Sequence, residues 1–166
     1  NFNFFDKSKK SIKLLSIGRL VEQKDHLTIL KAINLIKTKK NFLFCLIGKG
    51  YLNDKILDYI NTNNLQRQVR VLDYKENVYP FYKKADIFIL SSLYEGLPNT
   101  LIEARTFGLK IISTNCKTGP KEILKNGKYG KLFKVGDYKK LSKLILNSKK
   151  RNNLKIINNS RFNNIK

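Results

Sequence analysis

Short, almost wholly apolar runs alternate along this chain with helix-like stretches, and that alternation leaves few folds open. SIKLLSIG (11–18), NFLFCLIG (41–48), QVRVLDY (68–74), DIFILSS (86–92), LKIISTN (109–115) and YGKLFKV (129–135) read as strands. Strands that are apolar almost throughout are buried on both faces, as in a parallel sheet. Between them, DHLTILKAINLIK (25–37), YLNDKILDYINTNN (51–64), NVYPFYKKA (77–85), NTLIEARTFG (99–108), GPKEILKNG (119–127) and DYKKLSKLILNSKK (137–150) read as helices. Asp25 is the expected N-cap of the first, Gly108 closes the fourth, and Pro120 sits in the first turn of the fifth. The fold class that follows is α/β, a Rossmann-like doubly wound parallel sheet. A length of 166 residues supports one core, and no repeat or Pro/Gly/Ser linker divides it, so residues 1–166 are expected to form a single domain with a polar tail at 151–166.

Charge constrains the partners. Lys and Arg number 34 against 12 acids, a formal net charge of +22, which would suit nucleic acid or an anionic membrane surface. The excess is mostly Lys, dispersed and mixed with Asn and Ile, whereas Arg stands only at positions 19, 67, 70, 105, 151 and 161. Proteins that read nucleic acid cluster their basic residues and favour Arg for bidentate contacts. The expectation is therefore no nucleic acid. A compositional bias with solvated faces is the plain account of the charge, and an anionic membrane surface is the functional one. No run reaches the roughly 18–20 apolar residues of a membrane span. The start, NFNFFDKSKK, lacks the regions of a secretory signal, and without an initiating Met the sequence reads as a piece of a longer chain. Cys45 and Cys116, with no close Cys/His cluster, point to free thiols in a reducing cytoplasm and to no metal site.

Ligands of such a sheet bind beyond the carboxyl ends of its strands, so the segments after each strand are those to read for chemistry. In GRLVEQKD (18–25), Gly18 lets the backbone turn off the strand, and Arg19 and Lys24 precede a helix start whose dipole also favours anions. A guanidinium grips phosphate oxygens bidentately and an ammonium adds a mobile point charge, so the pair suits a diphosphate; two solvated surface cations are the alternative. GKGYLN (48–53) lacks the third glycine of the dinucleotide fingerprint, and no Walker motif occurs. In SSLYEGLPNTLIEA (91–104), Glu95 and Glu103 fit capping boxes, Ser92-x-x-Glu95 and Thr100-x-x-Glu103, or a site for a hydroxyl-rich ligand. A carboxylate only accepts, so it can take both donors of a vicinal diol. The N–H groups of residues 97–101 would face phosphate or sugar oxygens. His26, the single histidine, reads as a helix-start or surface residue.

GRLVEQKDHLTILKAI, VRVLDYKENVYPFYKKADIFILSSLYEGLPNTLIEARTFGLKIISTN and GPKEILKNGKYGKLFKVGD, in this order within residues 12–150, resemble the C-terminal, donor-binding domain of retaining glycosyltransferases with the two-domain GT-B fold (glycosyl transferases group 1, family 4). The resemblance implies one half of a GT-B fold, a nucleotide-sugar donor (a UDP-sugar first, a GDP-sugar second), no further cofactor and no obligatory metal. By position, Gly18, Arg19 and Lys24 resemble the residues at the donor diphosphate, and Glu103 resembles the acid on the ribose. Glu95 resembles the acid at the sugar hydroxyls, with the backbone of Gly96, Leu97, Pro98, Asn99 and Thr100 around sugar and phosphate. Glu95, Arg19 and Lys24 would then be catalytic. CKTGPKE (116–122) would line the donor site or simply start a helix. The chain departs from the family at Asp73 and Tyr74, where a glycine is common in the loop that frames the base, and EGLPN replaces the commoner EGFG. The resemblance further implies an N-terminal acceptor domain of the same chain as partner, and residues 151–166 as the start of helices crossing to it. It implies a glycan or lipid-linked acceptor in cell-surface polysaccharide, capsule or lipopolysaccharide synthesis, with a cytoplasmic, peripheral-membrane location and no turnover by these residues alone. A basic nucleic-acid-binding domain, or a same-fold epimerase, phosphorylase or non-catalytic relative, is the alternative.

Overall fold

The structure is a computed structural model that describes residues 4–151. Strands β1 (Ile12–Ile17), β2 (Phe42–Ile47), β3 (Val69–Leu72), β4 (Ile87–Leu90), β5 (Lys110–Thr114) and β6 (Lys131–Phe133) alternate with helices α1 (His26–Asn34), α2 (Asn53–Thr62), α3 (Tyr79–Lys84), α4 (Asn99–Thr106), α5 (Pro120–Ile123) and α6 (Tyr138–Leu146). The strands form one six-stranded sheet in the order β3-β2-β1-β4-β5-β6, every pair parallel. Each element expected from the apolar pattern is present, trimmed at its ends.

The strand sequences explain the two layers. Successive side chains of a strand point to opposite faces, so a run without polar residues must be covered on both. Leu14, Phe42, Phe44, Leu46, Ile87 and Ile89 pack on one face with Ile29, Leu30 and Ile33 of α1, Ile56 of α2 and Leu141 of α6. Leu15, Leu43, Cys45, Ile47 and Phe88 pack on the other with Tyr82 of α3, Leu101 and Ala104 of α4, and Phe4 and Phe5. The two phenylalanines come from a short 3-10 helix at Phe4–Lys7 that no periodicity announces. Each fully buried Leu, Ile or Phe contributes about 1.5–3 kcal/mol, so the two cores dominate the stability.

At the amino edge of the sheet, Asp86 ties the ends of the described chain together. Its carboxylate accepts from the backbone N–H of Lys13 (2.9 Å) and of Arg151 (3.0 Å), and the Arg151 guanidinium donates to the carbonyls of Phe107 and Lys83, both at 2.7 Å. Of residues 151–166, expected to begin the crossing helices, all but Arg151 lie outside the described residues.

The topology leaves one gap at the opposite edge. Neighbouring strands β1 and β4 are in register at Leu14 with Ile87 and Leu15 with Phe88, yet α1 follows β1 onto the first face and α4 follows β4 onto the second. The chain diverges there, opening a crevice beyond the carboxyl ends of the two strands. The glycine requirement around it differs from the sequence expectation. Gly18 has room for a side chain, the nearest atom lying 3.5 Å from where a Cβ would stand. Gly48 and Gly50 do not: a Cβ would fall 1.9 Å from the Gly18 carbonyl oxygen and 2.3 Å from that of Leu20. The loop after β2 is thus packed backbone to backbone against the loop after β1, closed by the Leu20 N–H on the Lys49 carbonyl (2.9 Å).

Candidate functional site

After β1 the chain makes a 3-10 turn at Glu22–Lys24 and enters α1 through Asp25, whose φ of 42° is left-handed. Asp25 accepts from the Thr28 N–H (3.3 Å) and hydroxyl (2.7 Å), so the expected N-cap is in place. This turn is stitched to the loop after β4. The Leu93 N–H donates to the Gln23 carbonyl (2.8 Å), the Ser91 hydroxyl to the Lys24 carbonyl (2.8 Å), and the Gln23 side-chain amide to the Tyr94 carbonyl (3.1 Å). Residues more than 65 apart in sequence therefore share one rigid rim over the crevice.

Lys24 and Glu95 meet on that rim. The ammonium lies 2.6 Å from Glu95 Oε1, with side-chain exposures of 17% for Lys24 and 5% for Glu95. The Ser92 hydroxyl donates to the same oxygen at 2.5 Å. Both partners take Oε1, which leaves Oε2 as the acceptor this carboxylate can present to a ligand. From behind, Thr118 donates its hydroxyl to the Glu95 carbonyl. Gly119, at φ +84°, comes so close to Gly96 and Pro98 that a Cβ would stand 2.5 Å from the Gly96 carbonyl oxygen. The loop after β5 thus backs the acidic loop, and Pro120 begins α5 as expected.

Neither acid caps a helix. Pro98 occupies the N-cap of α4 without a side-chain bond, and Thr100 is already helical, so the Thr100-x-x-Glu103 spacing is not a capping box. Ser92 and Glu95 bond each other in a loop where no helix begins. The expected row of donors at 97–101 is also narrower. Pro98 has no N–H, and the Leu101 N–H is already bonded to the Pro98 carbonyl (2.9 Å). Donors that remain to be aimed at a ligand are those of Leu97, Asn99 and Thr100. Leu97 is exposed, as are Gly96 and Asn99.

Glu103 sits in the second turn of α4, where its Oε2 accepts from the Tyr82 hydroxyl at 2.9 Å. Arg19 is on the exposed lip of the β1 loop, donating to the Gln23 side-chain carbonyl at 3.2 Å. His26, expected at a helix start or on the surface, does open α1 but is buried, 4% exposed. Its Nε2 lies 3.1 Å from the Arg19 carbonyl, and Nδ1 has no partner. Burial drives its pKa down to about 4, with the neighbouring Lys24 charge acting in the same direction. The sequence contained no signal for this beyond the proximity of His26 to the loop. Cys45 and Cys116 are free and buried; burial pushes the Cys45 thiol up to about 12 and raises that of Cys116. Beside the crevice, Gly48, Lys49, Gly50, Asn53, Leu57, Val71 and Asp73 line a groove of about 360 Å³. Among the described residues, no group of His, Cys, Asp and Glu is arranged to hold a metal ion, and no helix is long and apolar enough to cross a membrane.

The profile of the family described as glycosyl transferases group 1 matches residues 1–161. The chain belongs to the glycosyl transferases group 1 family. A Campylobacter jejuni relative, GalNAc-alpha-(1->4)-GalNAc-alpha-(1->3)-diNAcBac-PP-undecaprenol alpha-1,4-N-acetyl-D-galactosaminyltransferase, is 37% identical over 149 residues, 86% of this chain and 41% of its own. The uncharacterized glycosyltransferase MJ1059 of Methanocaldococcus jannaschii is 43% identical over 117 residues, 70% of this chain and 29% of its own. This group 1 chain therefore spans well under half the length of these relatives. TarM superimposes with a TM-score of 0.76 at 25% identity, over 84% of this chain and 28% of TarM. The pneumococcal O-GlcNAc transferase GtfA, solved with UDP and GlcNAc, superimposes with a TM-score of 0.73 at 19% identity, over 84% of this chain and 28% of GtfA; at that identity the likeness is one of fold. The sheet of this group 1 chain is a Rossmann-like half of the GT-B architecture.

Proposed function

We propose that this chain is the donor-binding half of a retaining hexosyltransferase that takes a nucleotide sugar, with UDP as the nucleotide, and passes the sugar to a glycan or lipid-linked acceptor. The observation that carries this reading is the ion pair between partly buried Lys24 and buried Glu95, 2.6 Å apart, on the rim where β1 and β4 diverge. Cations and a carboxylate at a switch point suit a ligand with anionic and hydroxyl-rich ends. Lys24 and Arg19 hold the diphosphate, aided by the first N–H groups of α4. Glu95 Oε2 takes donor-sugar hydroxyls, Glu103 takes the ribose, and the groove beside Gly48 and Asp73 takes the base.

In the reaction, the bond between the anomeric carbon and the diphosphate oxygen breaks, and the acceptor oxygen bonds to the anomeric carbon on the same face. The acceptor proton passes to the departing phosphate oxygen. Negative charge grows on the diphosphate as the bond stretches, so fixed cations stabilise the transition state more than the ground state. Glu95 is not assigned as a nucleophile, because attack by the acceptor on the leaving group's own face needs no covalent glycosyl intermediate on the protein. The acceptor groups belong to an N-terminal domain that completes the cleft, and the chain alone turns over no donor. The relatives' greater length supports that division. An undecaprenol-linked substrate in one relative's name, with a formal net charge of +22 here, supports a peripheral position on the cytoplasmic membrane face.

Calorimetric titration with UDP, GDP and ADP tests the reading. UDP is expected to bind most tightly, and Glu103→Ala and Arg19→Ala should each weaken it about tenfold. A chain that treats the three nucleotides alike, or binds none, would end it.

A further inference from the structure

We infer that Tyr82, which would itself touch no part of the donor, is the positioning residue that sets the ribose selectivity of the site. The inference rests on the reading of Glu103 given above. Tyr82 comes from α3 and is 0% exposed. Its ring stacks on Phe107 with centroids 5.4 Å apart and an interplanar angle of 9°, and it packs against Phe88 at 5.9 Å. The ring is thereby locked, and its hydroxyl has one direction in which to point. That direction is α4: Oη lies 2.9 Å from Glu103 Oε2 and 3.1 Å from the Thr100 carbonyl oxygen. Burial and the adjacent Glu103 charge raise the phenol pKa far above its usual range. The group stays a proton donor wherever the chain is folded.

A free glutamate on a helix samples several rotamers. Held through Oε2, the Glu103 carboxylate has its plane fixed and offers Oε1 in one orientation. A ribose presents two adjacent hydroxyls at a fixed spacing, and a fixed acceptor distinguishes them from a deoxy sugar far better than a rotating one. Ring packing alone would need only a phenylalanine, so the hydroxyl is the part that packing does not explain.

The test compares UDP with 2′,3′-dideoxy-UDP by calorimetry on the 166-residue chain, for wild type, Tyr82→Phe, Glu103→Ala and the double variant, with thermal unfolding recorded for each. Wild type should favour UDP, and Tyr82→Phe should lose about tenfold in UDP affinity while dideoxy-UDP binding stays within about twofold. In the Glu103→Ala background, Tyr82→Phe should cause no further loss, because the two act through one contact. Equal weakening of both nucleotides, or additive losses in the double variant, would reduce Tyr82 to a structural role and overturn the inference while leaving the donor reading intact. A wild type that binds UDP and dideoxy-UDP equally would overturn both, since Glu103 would then not meet the ribose. Should Tyr82→Phe unfold, Glu103→Gln replaces it. That variant keeps an acceptor for the phenol and should preserve part of the selectivity that Glu103→Ala abolishes, and no difference between the two would likewise overturn the inference.

Discussion

Lys24→Ala should cost the folded chain about 3–5 kcal/mol, far more than an ordinary surface lysine. The reason is the company it keeps. Glu95 is almost wholly withdrawn from water, its side chain 5% exposed, and the Lys24 ammonium at 2.6 Å is its counter-charge. The Ser92 hydroxyl at 2.5 Å satisfies a lone pair but neutralises nothing. Removing the ammonium strands a buried carboxylate, and the cost is the penalty for that stranded charge rather than the worth of the pair. Rescue is expected on the same ground. In Lys24→Met/Glu95→Gln, both charges are gone and the volumes are kept, so urea unfolding should return to within about 1–2 kcal/mol of wild type. If the single variant unfolds at the wild-type urea concentration, or the double variant is worse than the single, the pair is not holding the rim together. The pairing also has a functional side in the proposed reading: an ammonium carries three N–H donors, so Lys24 can hold Glu95 in place while turning another donor to the diphosphate.

The second large effect is a loss of stability on mild acidification, traceable to His26. Its folded pKa is lowered from 6.5 to about 4, chiefly by burial, so folding favours the neutral ring. Above pH 6.5 both states hold neutral histidine, and the contribution is fully present. Below it the unfolded chain takes up the proton first, and stability falls towards the folded value near pH 4 at up to about 1.4 kcal/mol per pH unit. By pH 4.5 the loss relative to pH 7 should reach about 2.5 kcal/mol. Urea unfolding at pH 7.0, 5.5 and 4.5 measures it, with His26→Gln as the comparison. The variant should be less stable at pH 7 yet lose less on the way down, because carboxylate titration is common to both. An identical pH slope in the two proteins would show that the ring titrates as if solvated.

Much of the architecture was legible because each strand had to satisfy two cores at once. Leu14 and Leu15, or Phe44 and Cys45, face opposite layers, and only a doubly covered parallel sheet asks for apolar residues at every position. The short 3-10 turns at Phe4–Lys7 and Glu22–Lys24 were not legible, because three or four residues carry no period. Local spacing misled at residues 100–103. A Thr three residues before a Glu suggested a cap, but α4 begins at Asn99 behind a proline. What set the environment of Glu103 was Tyr82, 21 residues earlier on another helix, a pairing that only the packed layers create. His26 opens α1 as expected, but its burial was not legible for the same reason: the residues before it, Gln23, Lys24 and Asp25, are polar, and its neighbours in space are Gly18 and the backbone of Arg19. At the site, the residue types pointed to phosphate and hydroxyl chemistry, and the fold supplied the direct contact between Lys24 and Glu95 that spacing could not foretell.

In the proposed reading one crevice, beyond β1 and β4, holds a nucleoside diphosphate. A crystal structure of this chain grown with UDP should show the diphosphate against Lys24 and the start of α4, with the ribose on Glu103. UDP bound elsewhere on the surface, or no UDP in the crevice at saturating nucleotide, would overturn that reading.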